Sequence, residues 1–338
     1  MSESLAAKRK MPFRVTFFSY KGGAGRSVAC ANVSNHLVST LGKSVAVFDF
    51  DIESVGQSYI HHVPKALLQG GGEASTNWVY VQDLLNGARR DSAGSTVETL
   101  DFNDKDKFED LFSRMFLDVT EKDKFEGYRI EGASPSPRKL LVLARPAADV
   151  LTPDGRTQQG SALRSVLVRL ASVEFALFDS PSGTQPLATL ARRHSQVMVV
   201  LCRPSRQFLE GTRYFLHQLV ESTHEEAPAL TVLFVLSAVP MGDEFRKQRE
   251  GALSRMEEIV RELKAESKVR DRITFRIPEH HRPKRTLVIP EVARLKWQDE
   301  VLASQRERGM DDDTLAGIEA YRRLAEVIRD LSAEGPLR

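Results

Sequence analysis

The sequence predicts an α/β protein: a doubly wound, mostly parallel sheet with helices on both faces, a helical insertion and a C-terminal helical extension. Three observations predict it. A strand-like apolar run, Val15 to Ser19, leads through a glycine-rich stretch into a helix-like run, Val28 to Leu37. Two further apolar runs, Ser44 to Phe48 and Phe175 to Phe178, each end in aspartate, as buried parallel strands do when they deliver polar groups to the sheet edge that binds ligands. Finally, 338 residues with 41% hydrophobic content can bury the core of a three-layer domain of about 250 residues with additions. One domain is therefore expected over 1–338, with its core in 12–57 and 138–290, an insertion at 58–137 and an extension at 291–338.

The first connection carries the most chemistry. Lys21-Gly22-Gly23-Ala24-Gly25-Arg26-Ser27 joins the first strand to the first helix. A loop that wraps a polyphosphate needs residues without side chains so that backbone N–H groups can converge on anionic oxygens, and Gly22, Gly23 and Gly25 supply them. The following helix adds its unpaired N–H groups and the positive end of its dipole. Against the ordinary pattern G-x-x-x-x-G-K-[ST], Tyr20 stands where the first glycine belongs and Arg26 replaces the lysine. Downstream, the second strand ends in Asp49-Phe50-Asp51 and a later one runs through Phe178-Asp179-Ser180-Pro181-Ser182-Gly183.

Taken with Lys21, the loop reads K-G-G-x-G-[K/R]-S and resembles the deviant Walker A motif of the ParA/MinD family of P-loop ATPases, in the form of a KGGVGR-type subgroup. The D-S-P-x-G stretch looks like that family's Walker B strand, and Asp49-Phe50-Asp51 is similar to its second acidic motif. This resemblance implies ATP and Mg²⁺ as cofactors. It implies a nucleotide cradle from Gly22, Gly23, Ala24, Gly25, Arg26, Ser27 and Val28, with Lys21 reaching across an ATP-dependent homodimer to the partner's nucleotide. On the same match Asp51 orients the attacking water, Arg26 adds charge at the phosphates, Ser27 binds the metal, and Asp49 and Asp179 support its shell. Ser237 falls where relatives place an adenine-reading asparagine, and Ile277-Pro278-Glu279 resembles the loop closing over the base.

The function so implied is a slow, partner-stimulated ATPase that acts as a dimerisation switch, regulating or positioning an unidentified protein partner. A bacterial signalling or defence system is one setting that the arginine variant suggests by association. Two alternatives stay open: a nucleotide-bound scaffold that does not hydrolyse, motivated by Arg26 and the large insertion, and a DNA-partitioning ATPase. The second is motivated by Arg282-Pro283-Lys284-Arg285 with Arg246, Lys247 and Arg249.

Remaining elements follow from pattern. Gly70-Gly71-Gly72 reads as a flexible loop and Trp78 to Leu85 as a short helix. Phe108, Leu111, Phe112 and Met115 fall at i, i+3, i+4 and i+7, an amphipathic stripe that packs on the parent domain or forms a docking face, the first being favoured. Core strands are expected at Lys139 to Ala144, Gln196 to Cys202, Thr231 to Ser237 and Ile273 to Arg276. From Val292 the chain reads as helical. Leu315, Ile318, Tyr321, Leu324, Val327, Ile328 and Leu331 trace one face, interrupted by Gly317, and Gly335-Pro336 ends it. Its acidic residues argue for core packing over membrane insertion.

Composition bounds the rest. With 48 basic and 46 acidic residues the net charge is +2, and nothing forces a polyanionic partner. Two cysteines, Cys30 and Cys202, exclude a disulfide framework and a four-thiolate cluster, which sets aside the iron–sulfur relatives. Lys8-Arg9-Lys10 is read as a solvated leader, no apolar run of about 18 residues occurs, and a cytoplasmic protein is expected. The pairs His61-His62 and His280-His281 are poor metal chelates.

Overall fold

The computed structural model describes residues 11–51, 56–61, 81–86, 88–90, 96–101, 104–118, 140–143, 156–170, 172–224, 227–266, 272–280, 285–296, 301–302 and 310–334. The leader at 8–10, the glycine run at 70–72, residues 78–80, 282–284 and 335–336, and His62 and His281 lie outside the described residues.

In chain order the elements are β1 (Phe13–Phe18), α1 (Arg26–Ser39), β2 (Val45–Asp49), α2 (Gly56–Ile60), α3 (Val81–Asn86), β3 (Ala88–Arg90), β4 (Thr96–Thr99), α4 (Lys105–Met115), β5 (Phe116–Asp118) and β6 (Leu140–Leu143). There follow α5 (Arg156–Arg169), β7 (Phe175–Asp179), α6 (Pro186–Arg193), β8 (Val197–Cys202), α7 (Arg206–Glu221), β9 (Leu230–Val239), α8 (Arg246–Glu266), β10 (Ile273–Arg276), β11 (Val288–Pro290) and α9 (Asp312–Glu334). Nine strands form one sheet in the order β10-β9-β8-β1-β7-β2-β6-β5, with β11 also on β9, and every pairing is parallel except that of edge strand β5.

Period-2 alternation splits the strands between two cores. Val15, Phe17, Val45, Val47, Leu177, Val197 and Val199 face α1 and α9, whereas Ala46, Phe48, Ala176 and Phe178 face α5 and α6. Met198, Val200, Val232 and Phe234 meet α7 and α8 on that second face. The expected doubly wound sheet with helices on both faces is thus the observed one. Because β7 returns to lie between β1 and β2, and β8 then crosses to the far side of β1, the connections diverge at the C-terminal end of β1. Such a switch point leaves a crevice where a ligand can reach the strand ends.

Two expectations needed revision. The insertion is not only helical: β3 and β4 make a separate antiparallel ribbon, and β5 extends the main sheet at its edge. Three- and four-residue strands carry too little period-2 signal to be read from sequence. Within α4, Leu111 and Met115 are buried in the core beside β2 and β7, so these members of the amphipathic stripe pack on the parent sheet. In α9, Leu315 is exposed, and Gly317 is no interruption but a point of close approach. A Cβ there would lie 2.8 Å from Val292 Cγ2 and 3.3 Å from Leu302 Cδ1. Tyr321, Leu324, Ala325, Ile328 and Leu331 complete the buried face. Among the described residues no helix is long and apolar enough to cross a membrane.

Candidate functional site

The site lies where β1, β7 and β2 end side by side. At the end of β1 the chain turns through Ser19 to Gly25. Gly23 and Gly25 have φ of +79° and +73°, the left-handed region that favours glycine, so the turn itself requires both. Gly22 has no such backbone demand, and a Cβ on it would meet nothing within 4 Å. Among the described residues none excludes a side chain at Gly22, which leaves the loop's surface open there. Helix α1 then begins at Arg26 with Gly25 as its N-cap, no side-chain cap and no acidic residue in its first turn. Its first N–H groups and its dipole are therefore available to an anion.

Neighbouring elements fix the loop. Ser237, buried at the end of β9, donates from Oγ to the Ala24 carbonyl at 2.8 Å. Gly183 N–H donates to the Ser19 carbonyl at 3.1 Å, and Ser180 Oγ to the Phe17 carbonyl at 2.8 Å, which ties the stretch after Asp179 to the stretch before the glycines. Tyr20, the departure from the ordinary loop pattern, has a packing reason. Its ring lies against α7 at Gly211, where an added Cβ would come within 2.5 Å of Cδ1 and Cε1.

Three carboxylates gather beneath the loop. Asp49 and Asp179 are register partners on adjacent strands, both fully buried, and both on the α1 side by alternation with Val47 and Leu177. Asp51 follows two residues beyond β2 and is also buried. Arg26, 8% exposed, bridges them: Nε donates to Asp179 Oδ1 at 2.9 Å and Nη2 donates to Asp51 Oδ2. Burial alone would lower the guanidinium, but the charges of Asp179 and Asp51 outweigh it and hold Arg26 above its ordinary value. A planar fork can serve two carboxylates at once, which a lysine ammonium at the same place does less well. Sequence reasoning put Arg26 at the phosphates; in this structure its side chain is occupied with the aspartates.

Two residues without a role in the sequence reading complete the site. Gln57, fully buried near the start of α2, donates its backbone N–H to Asp49 Oδ2 at 3.1 Å. Its Nε2 donates to the Ser27 carbonyl and to Asp179 Oδ2, both at 2.8 Å. Gly56 allows this approach, since a Cβ there would sit 2.8 Å from Ser27 Oγ and 3.5 Å from Asp179 Oδ2. The only sequence signal was a Gly-Gln pair a few residues after Asp51.

Of the other residues singled out, Val28 has its side chain in the core, so only its backbone faces the cradle. Lys21 is partly exposed and makes no ion pair with the described residues. Pro278 is buried just beyond β10, at the same edge of the sheet, and its carbonyl accepts from Leu287 N–H at 2.8 Å. Both cysteines are free and buried; burial pushes Cys202 up to about 12 and Cys30 well above its ordinary value, so neither offers a thiolate.

The donor set fits a magnesium nucleotide. An open glycine turn and an uncapped helix N-terminus face the position for phosphates, and a serine hydroxyl with three carboxylates offers the oxygen ligands a hard cation takes. The buried Ser19 Oγ and Gln57 Oε1 lack hydrogen-bond partners. No cluster of three or more His, Cys, Asp or Glu side chains able to hold a metal by themselves occurs among the described residues.

Solved structures share this architecture. MinD from Pyrococcus horikoshii, complexed with Mg-ADP, superposes with a TM-score of 0.55 at 17% identity, covering 96% of this chain and 98% of that one. The ParA of pNOB8 bound to nonspecific DNA gives 0.59 at 11% identity, covering 96% and 100%. An ATP complex of an McdA variant from Cyanothece gives 0.55 at 14%, covering 95% and 96%. No protein-family model and no curated protein matches the chain. The fold is a three-layer P-loop architecture with its ligand edge at the strand C-termini. More particularly, it is the fold of the ParA and MinD ATPases.

Proposed function

We propose that this protein is a ParA/MinD-type ATPase that binds Mg-ATP at the Gly22–Val28 loop, hydrolyses it slowly and works as an ATP-dependent homodimeric switch regulating or positioning a partner. The observation that carries the reading is convergence: Arg26 and Asp179, 153 positions apart, meet at 2.9 Å directly under a glycine turn. That the superposed MinD and McdA structures hold Mg-ADP and ATP supports it.

In this reading backbone N–H groups of Gly22 to Val28 hold the phosphates, and Ser27 Oγ with the shell around Asp49 and Asp179 holds the metal. When bound, magnesium neutralises phosphate charge and so lowers the cost of transfer to water. Asp51 orients the water, and to do so its carboxylate shares or leaves the guanidinium of Arg26. Lys21, which makes no ion pair with the described residues, extends to the partner subunit's nucleotide. Ser237 and Pro278 border the base.

The non-hydrolysing scaffold is the second reading, favoured by the Arg26–Asp51 ion pair, which engages the very carboxylate that would align water. Phosphate release with Asp51→Ala as the control separates the two. Turnover in wild type that the variant loses supports the ATPase, and no ATP-dependent release, with sedimentation showing an ATP-dependent dimer, supports the scaffold. DNA coating has less support: of the basic cluster, Arg246 pairs with Glu250 at 3.0 Å and Arg249 donates to the Pro240 carbonyl, while Lys247 and Arg285 are exposed. An ATP-dependent gel shift that fades steeply with salt would restore it.

A further inference from the structure

Gln57 touches all three parts of the site at once. Its backbone holds Asp49, its side-chain nitrogen holds the Ser27 carbonyl and Asp179, and it is completely removed from solvent. Both partners of the side-chain nitrogen are acceptors, so the amide can face them only with its NH₂. Its oxygen, Oε1, is then directed elsewhere, buried and without a partner. A buried amide oxygen left unpaired costs on the order of 1–3 kcal/mol, a cost that a donor meeting it in the working state removes. Gly56 tightens the case, because any side chain there would push Gln57 away from Ser27 and Asp179.

We propose that Gln57 is a positioning residue for the metal-bound nucleotide. Its NH₂ orients Asp179 and the start of α1, while Oε1 accepts a hydrogen bond from a water molecule carried on the hydrated divalent cation. Through Asp49, Ser27 and Asp179 it sets the spacing of the metal's shell without itself contacting the phosphates. This rests on the nucleotide reading above and deepens it by naming what makes binding metal-dependent. The chemistry expected at Oε1 is that of an O–H donor, since the surrounding carboxylates favour a cation and its waters over an anion.

The test measures ADP affinity by calorimetry in Mg²⁺ and, separately, in EDTA, on the full chain. Two variants are used: Gln57→Met, of similar length without polar atoms, and Gln57→Asn, which keeps the amide but is one methylene too short to span Ser27 and Asp179. In Mg²⁺ both are expected to lose about 10- to 100-fold in affinity, the usual effect of removing an outer-shell partner, with EDTA affinities unchanged. A variant that keeps the wild-type ratio between the two conditions overturns the proposal. Equal loss with and without metal also overturns it, because that marks a structural role. Wild type that binds ADP in neither condition refutes the nucleotide reading itself, and is told apart because no variant is needed to see it. Should Gln57→Met fail to fold, Gln57→Asn decides alone.

Discussion

Replacing Arg26 with methionine isolates what its guanidinium does. The methionine keeps most of the buried alkyl volume but removes the only cation bridging Asp51 and Asp179 among the described residues. Asp179 and Asp49 are fully buried and Asp51 is 7% exposed, so solvent cannot take over the lost compensation. Removing one partner of a buried ion pair costs about 3–5 kcal/mol, because the other charge stays behind. Against a total stability of roughly 5–15 kcal/mol, that lowers the thermal midpoint of a 338-residue chain by about 4–7 °C, at an unfolding entropy of about 2.1 cal/mol/K per residue. Urea and thermal unfolding of the nucleotide-free protein in EDTA measure it. Asp51→Asn in the Arg26→Met background should recover part of the loss, since it removes one of the uncompensated charges, and should cost stability in the wild-type background. The reasoning is refuted if Arg26→Met stays within about 1 kcal/mol of wild type, or if Asp51→Asn has the same effect in both backgrounds.

A pH prediction concerns His36 in α1, where burial and then the Arg322 charge push the imidazole down to about 4 from its ordinary 6.5. The unfolded chain takes up this proton first, so stability is full above about 6.5 and falls as pH drops toward 4, by on the order of 3 kcal/mol. In His36→Gln this component should vanish, so the fall in unfolding midpoint between neutral and mildly acidic pH shrinks; an unchanged fall would show that His36 does not report burial under α9. A second prediction joins the loop to α7: Gly211→Ala places a Cβ 2.5 Å from the Tyr20 ring. It should cost about 1–3 kcal/mol, and Tyr20→Ala should suppress that cost in the double variant. Additive losses in the cycle would mean the two residues are not in contact.

Much of this protein was legible in its sequence because the informative features are local. Gly23 and Gly25 are needed by the turn they stand in, Val45 to Asp49 and Phe175 to Asp179 announce buried strands by composition, and each strand carries its own aspartate. Tight turns, strand periodicity and the order of strand, glycine loop and helix depend on neighbours within a few residues. Adjacency did not have that support. That β7 lies between β1 and β2, making Asp49 and Asp179 register partners, follows from packing across the whole sheet. The same holds for the choice of Arg26 between phosphate and carboxylate, the contact of Tyr20 with Gly211, the tight fit at Gly317, and the placement of Gly56 and Gln57 against Ser27. Local chemistry thus told which groups the site would have. Only the folded chain decided which of them touch, since burial removes water and leaves each polar group to pair with whatever the sheet brings within 3 Å.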